Sequence, residues 1–173
     1  MKLGYEFFHR DVKEVAKDLV GKIIFCKNQD GEIKKLRITE TEAYCGVEDT
    51  ACHAHKGKTK RNEVLYMKAG TVYVYLCYGV HWLLNVITGE VNDPQGVLIR
   101  ACDNGANGPG KLTKALGIDK SFNKLCVYNS DLIWIEDDGY KCKITKAKRV
   151  GIEYASLKDQ NRLLRYIDSN TIT

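Results

Sequence analysis

The first strong pattern of apolar positions predicts a helix near the start of the chain. Four apolar residues recur at the helical spacing i, i+3, i+4 and i+7: Val12, Val15, Ala16 and Leu19. Asp11 can cap the first turn, and Gly21 can end the helix, because glycine tolerates the left-handed backbone found after many helices. The sequence therefore predicts an amphipathic helix over 12–19.

Further along the chain, runs of β-branched and aromatic residues predict a sheet. The run over 71–78 is the strongest, Gly79 interrupts it, and a second apolar run covers 82–88. These two runs predict a hairpin with residues 78–81 at its tip. Other strands are predicted at 22–26, 32–43, 97–102, 132–136 and 140–145, and short helices at 111–116 and 158–166.

The order of these elements favours an α+β fold. We predict a single domain over residues 1–173, built from a mostly antiparallel β-sheet with a protruding β-hairpin and flanking helices. Residues 45–70 are rich in Lys, His and Gly, and we expect them to leave the sheet as an irregular excursion. The length of the chain is enough for one hydrophobic core and short for two.

Composition and charge exclude several classes of protein. The 173 residues carry 27 basic and 22 acidic side chains, a formal charge of +5 that mildly favours a phosphate-bearing partner. No long apolar run follows Met1 or interrupts the chain, so we expect neither a secretory signal nor a membrane segment. The seven cysteines at irregular spacing are then expected to be free thiols in a reducing cytoplasm.

Some polar and aromatic residues stand where the pattern predicts apolar packing. Asn85 interrupts the apolar run over 82–87, either as a core amide bonded to backbone or as the wall of a pocket that tests a polar ligand. Tyr73 and Tyr75 share one strand face, where they either pack across strands or stack on a flipped base. Tyr78, at the predicted hairpin tip, could wedge into a minor groove.

Charged residues cluster around the end of the second predicted strand. Glu40 and Glu42 share a strand face, so this face is either solvated or holds a general base whose pKa is tuned by burial. The basic stretch over 53–62 either contacts phosphates or forms a solvated loop. The same two alternatives hold for the basic residues within 141–149.

Short blocks in a fixed order carry a resemblance to a known family. The blocks are ETEAY at 40–44, G at 46, D at 49, ACH at 51–53, RN at 61–62, YVY at 73–75, YG at 78–79, LNV at 84–86, VLIRA at 97–101 and GPGKL at 108–112. The ordered set resembles the DNA-3-methyladenine glycosylases of the alkyladenine (N-methylpurine) type over roughly residues 8–152. The resemblance implies a base excision repair enzyme that flips a damaged purine out of duplex DNA and hydrolyses it from its sugar.

The resemblance assigns the chemistry to two residues. Glu42 matches the family's general base, which activates a water to attack the anomeric carbon of the sugar. Arg100 matches a residue that helps to place this water. A water nucleophile implies a monofunctional DNA N-glycosylase that forms no Schiff base and cleaves no strand. Nothing in this chemistry asks for a metal or a cofactor.

The resemblance also assigns the base pocket and the DNA contacts. Three residues match the aromatic walls around the flipped base: Tyr44, His53 and Tyr75. The backbone N–H of His53 is expected to contact the six-position of the purine. Asn85 matches a gate that disfavours the 2-amino group of normal guanine, and Tyr78 matches the wedge that fills the gap in the duplex. Contacts to the DNA backbone are predicted for three further residues: Thr59, Arg61 and Lys111.

The predicted partner is double-stranded DNA that contains 3-methyladenine, 7-methylguanine, hypoxanthine or ethenoadenine. A cationic methylated base is already a good leaving group and favours electron-rich aromatic faces, whereas hypoxanthine needs protonation as it leaves. We expect a cytoplasmic monomer without a membrane partner. The stretch over 103–107 is shorter than the matching stretch of most family members, so a loop near the DNA surface is reduced.

Three alternatives stay open at this point. A damage-sensing module would bind damaged DNA without removing the base. Glu42 disfavours this alternative, because a carboxylate beside DNA weakens binding electrostatically and is expected only where catalysis requires it. The block GPGKLT at 108–113 suggests a helix-hairpin-helix glycosylase, but the strands over 71–102 disfavour that helical fold. A zinc-bound nucleic-acid protein is disfavoured because no Cys-x2-Cys pair is present. Its candidate ligands would be Cys45, Cys52, His53 and His55.

Overall fold

Four short helices and eight strands make up the computed structural model, which describes residues 1–172. The helices are α1 (Tyr5–Phe8), α2 (Val12–Leu19), α3 (Pro109–Leu116) and α4 (Leu157–Gln160). The strands are β1 (Ile23–Lys27), β2 (Ile33–Tyr44), β3 (Val72–Cys77), β4 (His81–Thr88), β5 (Gln95–Cys102), β6 (Ile133–Glu136), β7 (Ile144–Ala147) and β8 (Arg165–Asp168). Single turns of 3-10 helix lie at His53–Lys56, Glu63–Tyr66, Lys120–Phe122 and Ser169–Thr171.

The strands join in one sheet in which each strand pair runs antiparallel. The strand order is β3-β4-β5-β2-β1-β6, and β8 pairs with both β2 and β7. With helices packed against this sheet, the fold is a single α+β domain, and the predicted fold class is confirmed. The predicted extent of the domain, residues 1–173, stays a prediction because its last residue lies outside the described residues.

The helix predicted over 12–19 is confirmed as α2. The Asp11 carboxylate accepts a hydrogen bond from the Lys13 N–H at 2.9 Å, which satisfies one of the free donors of the first turn. The four apolar residues at helical spacing are all buried against the sheet. Within residues 1–172, no helix has the length and apolar character needed to cross a membrane.

The longest strand, β2, has two different faces. The hydroxyl of Thr41 donates to the Ala16 carbonyl of α2 at 2.7 Å, so this face points to the helices. Side chains alternate along a strand, and Glu40, Glu42 and Tyr44 therefore lie on the opposite face. The face away from α2 is thus the one that carries the polar residues.

The excursion predicted over residues 45–70 covers this second face. Its apolar side chains form a separate cluster with residues of β3 and β4: Cys52, Ala54, Val64, Leu65, Tyr73 and Ile87. The excursion includes two single turns of 3-10 helix, but no strand lies between Tyr44 and Val72. The site face of the sheet is therefore roofed by loops, which can carry binding residues on a rigid support.

The predicted hairpin is also confirmed. Strands β3 and β4 pair from Val72 opposite Val86 to Cys77 opposite His81, and the hairpin lies at the edge of the sheet. Tyr78 stands at its tip with 93% of the residue exposed. The hairpin therefore projects an aromatic side chain away from the core.

Two element predictions near the C-terminus are corrected. The strand predicted at 140–145 lies at Ile144–Ala147. The helix predicted at 158–166 is wrong, because only the turn Leu157–Gln160 is helical and Arg165–Asp168 is a strand. This segment pairs with β2 on one side and β7 on the other, and these backbone hydrogen bonds override the local helical pattern.

The short stretch over 103–107 is a tight turn. Asn104 and Gly105 both have positive φ, and the Cys102 N–H donates to the Ala106 carbonyl at 2.8 Å. The Asp103 carboxylate accepts from the Arg37 N–H at 2.9 Å, which ties the turn to β2. The chain therefore passes from β5 to α3 through a closed turn.

Candidate functional site

Cross-strand pairing places five residues in one row across the sheet. Arg165 of β8 lies opposite Glu42 of β2, which lies opposite Leu98 of β5. Leu98 lies opposite Asn85 of β4, and Asn85 lies opposite Tyr73 of β3. Neighbouring strands are about 4.8 Å apart, so Glu42 and Asn85 are separated by about 10 Å. The row brings a carboxylate, an amide and a phenol to one face.

Glu42 is buried and held by two donors. Its Oε1 accepts from the Tyr44 hydroxyl at 2.9 Å, and its Oε2 accepts from the Val150 N–H at 2.8 Å. Burial raises the pKa of Glu42, and nearby donors and cations, with the Val150 N–H first among them, act to lower it. A carboxyl with this raised pKa and with acceptor capacity left on both oxygens has the properties of a general base.

Arg100 approaches Glu42 because the backbone is irregular there. Between the partners of Glu40 and Thr41, β5 has one extra residue, which is Arg100 itself. A β-bulge of this kind re-aims a side chain. The Arg100 Nε lies 3.7 Å from Glu40 Oε2 and 3.9 Å from Glu42 Oε2. The two residues predicted to carry the chemistry are therefore neighbours.

A cleft opens beside this row, with an empty volume of about 370 Å³ that includes its open mouth. Five aromatic residues line it: Tyr44, His53, Tyr73, Tyr75 and Tyr154. Asn85 and Gly96 also line the cleft, and Gly96 lies opposite Tyr44 in the pairing of β2 with β5. The structure thus brings together all four residues predicted for the base pocket. Glu42 does not line the cleft, but the Tyr44 hydroxyl joins it to the wall.

The aromatic walls are packed against each other. His53 and Tyr75 meet edge to face with ring centroids 4.7 Å apart, and Tyr73 and Tyr75 are 5.2 Å apart. The His53 Nδ1 lies 3.2 Å from the Tyr73 hydroxyl. A purine stacked between His53 and Tyr75 therefore requires the two rings to move apart and to turn towards parallel planes.

The ionisation of His53 follows from its surroundings. Although part of the residue faces solvent, the aromatic walls desolvate its ring and lower the pKa of His53, and the Arg61 charge acts in the same direction. His53 is accordingly neutral at physiological pH. His53 is also the first residue of the 3-10 turn His53–Lys56, and the Cys52 side chain does not cap this turn. The backbone N–H of His53 therefore takes no part in the hydrogen bonds within the turn.

Asn85 is both a core amide bonded to backbone and part of the wall of the cleft. Its Nδ2 donates to the Tyr73 carbonyl at 3.2 Å, so the amide is bonded to backbone as a core amide would be. The residue nevertheless lines the cleft. Its position is fixed by a strand, which is the arrangement a gate residue needs.

Tyr78 has an unusual backbone. Its φ is +51° and that of Gly79 is +66°, and the Val80 N–H donates to the Cys77 carbonyl at 3.1 Å. Two central residues with positive φ make a tight hairpin turn that favours Asn, Asp and Gly. A bulky residue in this conformation costs about 1–2 kcal/mol. Because the residue is 93% exposed, packing in the core does not account for this conformation.

The three residues predicted to contact the DNA backbone lie in different places. Thr59 is exposed and bonds with Asn62, and the Arg61 guanidinium donates to the Leu76 carbonyl at 3.2 Å, next to the hairpin. Lys111 lies in the first turn of α3 and donates to Asn107 at 3.0 Å. All three are exposed, and none of them lines the cleft. Thr59 and Arg61 line a neighbouring pocket that shares His53 with the cleft, whereas Lys111 lines neither.

The segment over 148–162 contributes residues that the sequence did not point to. Val150 donates to Glu42, and the Tyr154 hydroxyl donates to the Ala51 carbonyl at 2.7 Å while its ring lines the cleft. Arg149 is buried and paired with Asp49, so it does not belong to a phosphate-contacting patch of the basic residues within 141–149. No local pattern marks these residues, because the chain returns to the site from 108 positions away.

The four residues considered as zinc ligands face different partners. The Cys52 sulfur lies 3.8 Å from the Pro94 carbonyl, and the His55 ring bonds to the Val47 carbonyl at 2.8 Å. Across residues 1–172, no three side chains of His, Cys, Asp or Glu converge as a metal site.

Comparison with known proteins identifies a protein family whose model matches most of this chain. The family model described as methylpurine-DNA glycosylase matches residues 6–105 and 103–171. The match therefore extends past Gly151 into α4 and β8, where the sequence blocks gave no resemblance.

Individual relatives cover most of their own length and most of this chain. A protein of Natranaerobius thermophilus is 44% identical over 90% of this chain and 89% of its own. A protein of Clostridium perfringens is 42% identical over 90% of both, and one of Borrelia garinii is 42% identical over 95% of both. Each of the three carries the name "Putative 3-methyladenine DNA glycosylase".

Proposed function

The chain belongs to the methylpurine-DNA glycosylase family, and from this premise we propose how its site removes a damaged base. Members of the family act on damaged DNA and hydrolyse the N-glycosyl bond between an alkylated purine and its sugar. The chain is accordingly a DNA glycosylase for alkylated purines that serves base excision repair. The residues, the mechanism and the substrate range below are proposals.

The observation that carries the proposed mechanism is the buried Glu42, which lies beside Arg100 and is joined through the Tyr44 hydroxyl to the wall of an aromatic cleft. Glu42 takes a proton from a water, and the water oxygen forms a bond to the anomeric carbon of the flipped nucleotide. The N-glycosyl bond breaks, and its electron pair leaves with the purine. Arg100 orients the water, and its positive charge favours the ionised form of Glu42 that can accept the proton. The products are a free base and an abasic sugar.

The water must reach a carboxyl that is fully buried in the DNA-free protein. Both neighbours of Glu42 can open the path: Tyr44 covers Oε1, and the segment with Val150 covers Oε2. DNA binding is therefore proposed to shift one of them. A closed resting site also prevents Glu42 from activating water without a substrate.

Base recognition is proposed to rest on the electron-rich walls Tyr44, His53 and Tyr75. A cationic purine such as 3-methyladenine or 7-methylguanine is attracted to these aromatic faces by cation–π interactions. The lowered pKa of His53 keeps its ring uncharged, so it does not repel such a base. The His53 N–H, at the start of its 3-10 turn, is proposed to contact the six-position of the purine. Hypoxanthine and ethenoadenine are proposed as further substrates, and a neutral base of this kind needs protonation as it leaves.

Discrimination and capture are proposed for two residues on the hairpin. Asn85 is proposed to hinder the 2-amino group of normal guanine, since its amide is fixed at the wall of the cleft. Tyr78 is proposed to fill the gap that the flipped nucleotide leaves in the duplex. The backbone contacts are proposed for Thr59, Arg61 and Lys111.

The proposed reaction is tested by base release from a methylated duplex by the wild-type protein with EDTA present. We expect free methylpurine and strand breaks only after alkali, because water attack leaves an intact abasic strand. Strand breaks without alkali would contradict the absence of a lyase step. Tight binding without base release would instead support a damage-sensing module.

A further inference from the structure

A buried ion pair lies directly behind the proposed catalytic residues. Arg149 and Asp49 form two hydrogen bonds, at 2.5 Å from Nη1 and 2.9 Å from Nη2, and both side chains are completely buried. A buried pair is weak support for stability, because removing two charges from water costs nearly as much as their attraction returns. Its presence beside the site therefore calls for another explanation.

The surroundings of the pair lead to the general base. The Arg149 Nη1 also donates to the Ala43 carbonyl at 3.1 Å, and the guanidinium lies 4.9 Å from the centre of the Tyr44 ring. The next residue along the chain, Val150, donates its N–H to Glu42. Ala43 and Tyr44 are the two residues that follow Glu42 in β2. The pair thus joins the segment over 148–162 to the strand that carries Glu42.

One hydrogen-bond donor of the Arg149 guanidinium is left unsatisfied. Its Nε is buried and has no hydrogen-bond partner within the described residues. An unsatisfied buried donor costs about 1–3 kcal/mol. The guanidinium therefore keeps a position against Asp49 and Tyr44 in spite of an unmet donor.

We propose that Asp49 and Arg149 are positioning residues for base excision, which hold the Val150 N–H on Glu42 and support the rear of the Tyr44 wall. The inference rests on the proposed function. Asp49 fixes the guanidinium, the guanidinium fixes the chain at 149–150, and the Val150 N–H fixes one oxygen of Glu42. Neither residue of the pair touches the substrate.

The ionisation of Glu42 makes this arrangement testable. The charged and titratable groups that face Glu42 come from five parts of the fold: Glu40 and Tyr44 on β2, Arg100 on β5, Tyr75 on β3, Arg165 on β8, and Arg149 and Tyr154 on the segment over 148–162. The Val150 hydrogen bond is the strongest influence that lowers the pKa of Glu42 against its burial. A base must be ionised, so releasing Val150 moves the acid limb of the rate profile to higher pH.

The test uses the double variant Asp49→Asn/Arg149→Gln, which replaces the ion pair with two neutral amides that can bond to each other. Single-turnover excision from methylated duplex DNA is measured from pH 5 to 9, a range of about four units around neutrality. We expect excision at neutral pH to fall about tenfold or more, and the acid limb to rise by about half a unit or more. Affinity for a duplex with an abasic-site analogue should change little, because neither residue touches DNA.

Arg162→Gln is the matched control, because it removes a cation from the same segment without touching Glu42. Arg162 bonds to Asp159 and to the Cys45 sulfur. We expect this variant to keep the wild-type pH profile even where its melting temperature falls. A purely structural role of the Asp49–Arg149 pair would lower the melting temperature of the double variant and leave its acid limb in place.

A folded double variant with the wild-type rate and acid limb would overturn the inference. Should the double variant not fold, Arg149→Lys decides, because lysine keeps the buried charge but cannot make both bonds to Asp49. A wild-type profile for Arg149→Lys would likewise overturn it, and a shifted acid limb would support it. Failure of the wild-type protein to release base would reject the proposed function, whereas these variants test only the positioning.

Discussion

At the scale of single residues, the burial of Glu42 links chemistry to stability. A carboxyl whose pKa is raised by burial favours the folded state when it is protonated. This stabilisation is present below the unfolded pKa and is lost as the pH rises through the raised folded pKa. At neutral pH the ionised Glu42 therefore works against the fold, as expected for a group selected for reactivity.

Glu42→Gln is predicted to stabilise the protein by about 1 kcal/mol at neutral pH. Gln can accept from the Val150 N–H and donate to the Tyr44 hydroxyl, so both present contacts keep a partner. Urea unfolding at pH 8 and at pH 4 measures the effect, and the gain should shrink at the lower pH as the wild-type carboxyl takes up its proton. A variant that is less stable at both pH values would contradict the account.

Asn85→Ser is predicted to release normal guanine more readily than the wild type. Serine shortens the side chain at the cleft wall and still offers a hydroxyl to the Tyr73 carbonyl that Asn85 now contacts. Guanine release from undamaged duplex DNA measures the effect, and an increase of about tenfold corresponds to the loss of one contact. Background release by the variant would remove Asn85 from the role of gate.

At the scale of elements, the hairpin of β3 and β4 carries three residues of the proposed function at different depths: Tyr75, Asn85 and Tyr78. Asn85 lies in the paired part of β4, where cross-strand bonds fix it, and Tyr78 lies in the strained turn. The sheet therefore supplies precision at the cleft, and the tip supplies an exposed ring. Tyr78 makes no packing contribution to the core that could explain its conformation.

Tyr78→Asn separates the strain of the turn from the function of the ring. Asparagine suits the positive φ, so the free energy of unfolding should stay the same or rise by up to about 1 kcal/mol. Affinity for an abasic-site analogue duplex should fall about tenfold, because stacking on bases contributes about 1–3 kcal/mol per aromatic residue. Unchanged affinity would count against the wedge, and a loss of stability would count against a strained turn.

The sequence pattern correctly predicted those elements whose conformation is determined by interactions between residues close together in the chain. The helical spacing of Val12 to Leu19 and the break at Gly79 gave α2 and the hairpin correctly. The pattern near Arg165 failed, because pairing with β2 and β7 decides that segment and the sequence does not reveal its partners.

At the scale of the whole molecule, the site is assembled from segments far apart in the chain. The resemblance of short blocks supplied Glu42, Tyr44, His53, Tyr75 and Asn85, and the structure gathers them at one face. The contribution of the segment over 148–162 could not be predicted, because its contacts with Asp49 and Glu42 join residues that are 100 and 108 positions apart. The bulge at Arg100 could not be predicted either, because the register of β5 depends on its pairing with β2.

The net charge of +5 predicts that DNA binding weakens as salt increases. Arg61→Gln should reduce the slope of log affinity against log salt by about one, because one phosphate contact is lost. Lys34→Gln is the matched control, since Lys34 is exposed near the start of β2. Binding to undamaged duplex DNA at several salt concentrations measures both, and equal slopes for all three proteins would contradict the assignment of Arg61.

The whole site is proposed to serve one step, in which Glu42 activates the water that releases the base. The most direct measurement is single-turnover release of methylpurine from a methylated duplex by wild type, Glu42→Gln and Glu48→Gln. Glu48 is exposed, so its variant removes one negative charge without touching the cleft. We predict a loss of about 10²–10⁴-fold for Glu42→Gln with DNA binding retained, and near-wild-type release for Glu48→Gln. Release by Glu42→Gln at a rate close to that of the wild type would contradict this prediction.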